Sequence, residues 1–405
     1  MANSAKSRAN LGHSREAVRQ HNLSAVLGLV HQSGEITRSQ LTQITALNRS
    51  TISDLVEELG IAGLVTESES SAREGIGRPS LMVAAADDVI ALSVHPELDY
   101  LAVAAIALSG KFILEEHVTY QPGNTPQAMV KEAARLINKV CDQLDDASKI
   151  IGVGVAVPGQ VRIEDGVVRL APHLGWVEVP FAKMLEQVVG FPVYLDNDAS
   201  LGSLAERMYG AARNFQDVVY LFGGSGIGGG VVTNGHQLRG SAGYAGELGH
   251  VRISDHTGAD YSGMVGTLES LVRREDIVKA LKLGLVDDKE LENALLSNRS
   301  VAVRNLIEKQ IDVLAIAIAN YVNIFNPQII VLGGFLSALF WYDQERLLQG
   351  IRQGSLDASR EGVIVRTAEL GPNNLLVGAA ELAFAELVAN PAACTLRNRK
   401  ARIIK

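Results

Sequence analysis

Two short stretches hold most of the residues able to do chemistry. In ELGHVRISDHTGADYSGMVGTLES, Glu247 to Ser270, the imidazole of His250 stands between the carboxylates of Glu247 and Glu269 in a glycine-rich run. In VYLDNDAS, Asn197 and Asp198 follow an apolar, strand-like run. Carboxylates and an imidazole can ligate a metal ion or exchange hydrogen bonds with the hydroxyls of a polyol, and a carboxylate can also act as a general base. One His and one carboxylate are too few to close a tetrahedral zinc site, so no metal is expected here. Each residue also has a plainer role open to it: Asp198 as a helix N-cap, His250 as a brace bonded to Ser262 or Thr267. GGSGIGGG, Gly223 to Gly230, can bring backbone N–H groups up to a phosphate or can be only a tight hairpin. PHLGW, Pro172 to Trp176, is a loop that can wall a pocket.

The elements that must position these residues begin near Val89. VIALSVHPE, YLAVAAIAL and KFILEEHVTY read as three consecutive strands, PQAMVKEAARLINKVCDQL as an amphipathic helix and IIGVGVAVPG as a buried strand. The alternation resumes with strand VYLDNDA, helix SLGSLAERMYG, strands in VVYLFGGSGIGGGVV, a long helix through VRNLIEKQIDVLAIAIANYVNIF, strand IIVLGG and a final helix GAAELAFAEL. Two α/β lobes with a cleft between them are expected, and ligands of such folds sit at strand ends and in clefts.

Before Val89 the pattern is different. Leu23, Val26, Leu27, Leu29 and Val30 make an apolar stripe stopped at Ser33-Gly34, and Thr37 then caps a short helix carrying Leu41 and Ile44. After a turn at Ala46-Leu47-Asn48, Ile52, Leu55, Val56 and Leu59 fall on one face of a third helix, giving a helix-turn-helix. Its N-terminal end exposes Arg49, Ser50, Thr51 and Ser53, residue types that donate to phosphates and base edges in a major groove. A polar tip between Leu64-Val65 and Leu81-Val83 reads as a β-hairpin wing, whose Arg73 and Arg78 suit a narrow minor groove. The alternative is a small bundle used for protein contacts, with Ser and Thr serving as caps. The expected division is a flexible basic N-terminus at 1–22, a winged helix-turn-helix DNA-binding domain at 23–86, a two-lobed domain at 87–390 and a basic tail at 391–405.

At 405 residues with 47% hydrophobic residues, the chain can bury a substantial core. A net charge of −8 excludes non-specific coating of nucleic acid, which depends on neutralising many phosphates, while leaving room for a small DNA-reading domain. There is no apolar run of membrane-spanning length and no signal-peptide core, so the expected location is cytoplasmic, with no membrane partner. Cys141 and Cys394 lie far apart and do not suggest a disulfide framework.

GGSGIGGGVVTNGHQLRGSAGYAGELGH, PGQV and APHLGW before LDNDAS, and NIFNPQIIVLGG together resemble the ROK family of sugar kinases and repressors, from Leu23 to about Leu387. The resemblance implies an actin/hexokinase-like, ribonuclease H-like two-lobed α/β sensor domain. In the family's kinases the equivalents of Asn197, Asp198, Glu247, His250 and Glu269 contact sugar hydroxyls, the Asp acting as base. Two departures bear on function. The kinases' Asp-x-Gly-Gly-Thr phosphate turn is replaced by SVHPELDYLAVAAIALSGK, which has no such glycines, so neither enzyme activity nor a cofactor is expected. Zinc-bearing members carry Cys at ten, twelve and seventeen residues after the His; here those offsets from His250 fall on Asp260, Ser262 and Thr267. The resulting expectation is a transcriptional repressor that binds double-stranded operator DNA as a homodimer or tetramer and responds to a sugar or sugar derivative in the interlobe cleft. The alternatives are a ROK-type hexose kinase with an appended DNA-binding domain, and a regulator controlled by a protein partner through a degenerate pocket.

Overall fold

A computed structural model describes residues 15–69, 81–120, 123–255, 257–284, 286–392 and 397–398. The chain divides into two units, Met1–Val89 with Ala107–Lys111 and Phe384–Leu396, and Ile90–Ile106 with Phe112–Ala383 and Arg397–Lys405.

In the first unit three helices, Arg15–Ser33, Arg38–Thr45 and Arg49–Ile61, accompany a small sheet in which Leu81–Ala85 lies between Glu35–Thr37 and Val65–Glu69. The local chemistry sets the boundaries. Thr37 and Gln40 form a reciprocal capping box, Ala46 turns the chain in the left-handed region (φ 56°), and Asn48 caps the third helix by accepting from Thr51 N. Leu27, Val30, Leu41, Ile52, Val56 and Leu59 are buried between the helices, each removing apolar surface from water. The first described helix starts before residue 23, where the winged domain was expected to begin. Helix begins at Arg15, because polar helix-formers extend it past the apolar stripe and Arg19 pairs with Glu58 on the third helix.

The second unit contains two large sheets built by one rule, besides a three-stranded sheet of Gln160–Arg162, Val167–Ala171 and Trp176–Val179. In the first, strands Val89–Pro96, Tyr100–Ala107 and Phe112–Thr119 run as a meander. Helix Pro126–Gln143 then leads to strand Lys149–Val157 beside the first strand, and helix Phe181–Val189 leads to Val193–Asn197 at the edge. In the second, Val218–Gly223, Ile227–Thr233 and His236–Gln237 form the meander. The helix Val301–Phe325 returns the chain to Ile329–Gly334 beside the first strand, and Ile364–Thr367 closes the edge. Numbered along each lobe, both sheets read 5-4-1-2-3, with strands 1, 4 and 5 parallel in the second sheet and 4 and 5 parallel in the first. This duplicated arrangement is the expected ribonuclease H-like, actin/hexokinase-like architecture. Its central strands are buried on both faces and read as continuous apolar runs, as parallel strands covered by helices must. From the tail, Arg397–Asn398 adds to the start of Lys149–Val157, while Cys394 lies outside the described residues. Among the described residues, no helix is long and apolar enough to cross a membrane.

Close packing of helix on sheet makes one glycine indispensable. Gly154, in strand Lys149–Val157, lies so near the backbone of Ala379 in helix Asn374–Ala389 that a Cβ would overlap the Ala379 carbonyl. Gly154→Ala is expected to destabilise the protein by about 1–3 kcal/mol through overpacking. A denaturation midpoint equal to that of the wild type would contradict this packing.

Candidate functional site

The strand ends of both lobes converge on a narrow cleft with a cavity volume of about 20 Å³, whose lining includes Gln160, Asp196, Asn197, Gly228, Tyr244 and Glu247. Strand Val193–Asn197 delivers Asn197 and Asp198 to its floor. The helix cap is Asn197, whose Oδ1 accepts from Ser200 N at 2.9 Å, while its Nδ2 donates to Gly159 O at 3.1 Å. Asp198, only 6% exposed, is therefore free of capping duty and accepts from Ala199 N at 2.7 Å. Burial, reinforced by the neighbouring Glu97 carboxylate, holds its pKa well above the usual carboxylate range. Such a group is suited to holding or accepting a proton at a ligand hydroxyl.

The opposite wall comes from the glycine hairpin and the segment after it. GGSGIGGG is a hairpin turn: Gly224, Ser225 and Gly226 link two antiparallel strands. Glycine is required there because a Cβ on Gly226 would run into Glu269 Oε2 and the ring of His173, and one on Gly228 would meet Ala199 Cβ at 2.6 Å. Glu269, in the short helix Leu268–Leu271, is 5% exposed and accepts from Ile227 N at 2.7 Å. Its other oxygen, Oε1, is buried without a hydrogen-bond partner, and so is His173 Nε2 from the PHLGW loop. Burial, with the charge of His250 second, lowers the His173 pKa to about 4, so this ring is neutral. Glu247 and His250 occupy a single 3₁₀ turn tied to the long helix by Tyr321, whose hydroxyl donates to Leu248 O at 2.5 Å. Glu247 Oε2 stands 4.0 Å from His250 Nε2. Of the five residues singled out in the sequence, Asn197 and Glu247 line this cleft; Asp198 adjoins Asn197, whose Nδ2 donates to its Oδ1 at 3.2 Å, and His250 and Glu269 bring ligand atoms within 4.8 Å of one another.

The brace on His250 is neither Ser262 nor Thr267 directly. Asp260 Oδ2 meets His250 Nδ1 at 2.9 Å and accepts from Thr267 Oγ1 at 2.8 Å, while Oδ1 accepts from Ser262 Oγ (2.7 Å), Ser262 N (2.9 Å) and Met264 N (3.0 Å). A carboxylate with no exposed side-chain surface, at the first of the three offsets where zinc-bearing proteins place thiolates, bonds the residues at the other two. His250, Asp260 and Glu269 bring one ligand atom each within 4.8 Å of one another. The set does not fit zinc: both Asp260 oxygens are already occupied, and Ser262 and Thr267 act as donors to the carboxylate. Glu97, His173 and Asp260 were not among the site residues the sequence singled out. The signal for Asp260 lay in its spacing from His250; Glu97 and His173 carried none beyond their loops.

In the first unit, Arg49 and Ser50 are exposed in the first turn of the third helix, and Ser50 Oγ donates to Asn48 Oδ1 at 2.7 Å. Thr51 is half-buried. Ser53 turns inward: its hydroxyl accepts from Arg38 Nη1 at 2.9 Å, and Arg38 also clamps Glu67. Arg73 and Arg78 lie outside the described residues.

The Asp260 hub has a defined pH signature. Burial, the largest single influence, raises its pKa, but the bonds from Ser262, His250, Thr267 and Met264 outweigh it and bring the value from 3.8 to about 2. Stability from this group is present above the unfolded value and lost as pH falls toward 2. Burial also opposes the charge on His250, yet the Asp260 bond and the Glu269 and Glu247 carboxylates hold its pKa above 6.5. That contribution is complete below 6.5 and lost as pH rises through the raised value. Hydrogen-exchange protection of the Met264 amide is expected to be greatest between about pH 4 and 6 and to fall on both sides. Asp260→Ala should destabilise the loop by about 1–3 kcal/mol and lower the His250 pKa measured by NMR. An unchanged His250 titration would contradict the hub.

A sequence profile described as the ROK family matches residues 97–386. The chain is 28% identical over 390 residues to a xylose repressor of Caldicellulosiruptor bescii, covering 92% of this chain and 98% of that one. It is 26% identical over 389 residues to the DNA-binding transcriptional repressor Mlc of Escherichia coli, covering 90% and 93%. Among solved structures, a ROK family transcriptional regulator described as a homolog of the Escherichia coli MLC protein superposes with a TM-score of 0.73 at 23% identity, over 92% of this chain and 97% of that one. A ROK family glucokinase from Streptomyces griseus, in complex with glucose and AMPPNP, superposes with a TM-score of 0.62 at 23% identity and covers 73% of this chain and 99% of its own. With the duplicated two-lobed fold in place and a profile match over most of its length, the chain belongs to the ROK family.

Proposed function

We propose that the chain is a transcriptional repressor in which a winged helix-turn-helix at residues 23–86 binds operator DNA and a two-lobed domain at 87–390 senses a sugar or sugar derivative. The observation that carries the sensing role is the pair of buried, unpartnered polar atoms, Glu269 Oε1 and His173 Nε2, beside the same glycine turn. Leaving such groups unpaired costs about 1–3 kcal/mol each, a cost that a ligand hydroxyl bonding to both would remove. His250 stands beside Glu269, Asn197 and Glu247 line the cleft, and with Asp198 these residues make up the proposed sugar-binding set. A polyol fits this chemistry: an analogue lacking one hydroxyl leaves a buried group unsatisfied and is rejected.

The DNA-binding role rests on Arg49, Ser50 and Thr51 at the N-terminal end of the third helix, where the helix dipole and orphan N–H groups favour phosphate oxygens. Ser53, Arg73 and Arg78 remain part of the proposed interface. The protein acts in the cytoplasm as a homodimer or tetramer, since one such helix reads only a half-site. A kinase role is disfavoured because the first-lobe turn Glu97–Asp99 contains no glycine to wrap a phosphate. Sugar-dependent ATP turnover by the purified protein would overturn that view.

Operator binding should be measured against a panel of pentoses, hexoses, amino sugars and their phosphates, with D-xylose first because two of the full-length relatives are named as xylose repressors. Glu269→Gln is expected to weaken the response to the active compound by about ten- to a hundredfold while leaving operator affinity without sugar intact. A response unchanged by this substitution would remove Glu269 from the site. Arg49→Ala should weaken operator binding and reduce the salt slope by about one. Equal affinity and slope would place the DNA contact elsewhere.

A further inference from the structure

The duplicated sheets give each lobe an equivalent turn between its first and second strands: Glu97–Asp99 in the first and Gly224–Gly226 in the second. The two turns meet. Ser225 Oγ donates to Glu97 Oε1 at 2.8 Å, Leu98 N donates to the same oxygen at 2.8 Å, and Glu97 Oε2 lies 3.2 Å from where a Cβ of Gly224 would stand. Glu97 is 5% exposed, so its carboxyl fills the space above the glycine turn. A turn of this kind, with glycines that let backbone approach a ligand, is where a phosphoryl group would otherwise be cradled.

We propose that Glu97 is a built-in occupant of the phosphate position, making the cleft selective for unphosphorylated sugars. This rests on the sugar-sensing role proposed above. Bulk and charge act together. A phosphate arriving at the turn would have to displace the side chain, break its bond to Ser225 and approach a wall already carrying Asp198, Glu247 and Glu269. The arginine whose charge reaches Glu97, Arg274, is engaged with Asp288 at 3.3 Å and Val286 O at 2.5 Å and offers no ready counter-charge. On the other side of the cleft Arg239 pairs with Asp196. Specificity of this sort is gained by placing an unfavourable element against the wrong ligand, and a buried carboxylate facing a phosphate is such an element. Burial raises the Glu97 pKa, but the side chain occupies the same volume in either protonation state. A neutral sugar loses nothing to Glu97, because a hydroxyl can donate to its carboxylate.

The test uses inorganic phosphate as probe, so that it does not depend on which sugar is recognised. Phosphorus NMR line broadening and calorimetry are recorded for the full-length wild type, Glu97→Ala and Ser225→Ala, with Glu97→Ser as a second opening of the same space should the alanine variant fold poorly. The wild type and Ser225→Ala are expected to show no binding at millimolar phosphate, and Glu97→Ala or Glu97→Ser to bind at least about tenfold more tightly. Phosphate binding by the wild type equal to that of the variants overturns the proposal, as do Glu97 variants that remain as blind as the wild type. Operator release by unphosphorylated sugars is scored separately. If phosphate discrimination follows Glu97 while no sugar acts, the sensing role fails and the occupancy of the turn stands.

Discussion

The cleft is governed by the cost of taking carboxylates out of water. Asp198, Glu269 and Glu97 are each at most 6% exposed and crowd around one hairpin turn, where unpaired charge would be prohibitive. Each is compensated by a backbone N–H from a neighbouring turn: Ala199 for Asp198, Ile227 for Glu269 and Leu98 for Glu97. These donors come from where regular structure starts or turns: the first turn of a helix for Ala199, the first residue of a strand for Ile227 and a strand-to-strand turn for Leu98. The requirement for them therefore fixes the strand ends of both lobes around the same point, and the absence of a Cβ at Gly226 and Gly228 lets the walls close to contact distance.

The same economy explains how the loop after His250 holds its shape. In a metal-bearing site a cation gathers anionic ligands; here an anion gathers hydrogen-bond donors. Asp260 takes the central position, with two hydroxyls, two backbone amides and one imidazole pointing inward. The exchange inverts the charge of the hub while preserving the offsets of ten, twelve and seventeen residues from His250. It also leaves His250 polarised by Asp260 on one nitrogen, with the other directed toward Glu247 and the cleft.

Much of the fold is legible in the sequence because its determinants are local. Period-2 and period-3.6 patterns, Thr37 as a cap, the turn at Ala46-Leu47-Asn48, and continuous apolar runs such as IIGVGVAVPG identify the helices of the first unit and the central strands of both lobes. The duplicated strand order is less legible, since the connection between strands 4 and 5 passes through elements of unlike length and sequence: Gln160–Arg162, Val167–Ala171 and Trp176–Val179 in one lobe, and Phe335–Tyr342 and Gln344–Gly354 in the other. At the site, residues sharing one stretch with a motif were visible: Asn197 with Asp198, Glu247 with His250 and Glu269. Glu97 was not, because its role depends on Ser225, a residue 128 positions away. His173 was hidden for the same reason; only the fold brings its ring against Gly226. The cap at Asn197 rather than Asp198 shows a finer limit, since either side chain can cap a helix and only backbone geometry decides.

Coupling between a sugar cleft and a DNA-reading helix is a free energy shared by both ligands and is reciprocal. The most direct test is calorimetric measurement of sugar affinity in the absence and in the presence of saturating operator DNA. If the cleft is the sensor of a repressor, bound operator changes sugar affinity by the same factor by which sugar changes operator affinity, within about 5- to 150-fold for typical systems. Sugar that binds with identical affinity to free and operator-bound protein would contradict the account, because a ligand indifferent to the two states cannot control the switch.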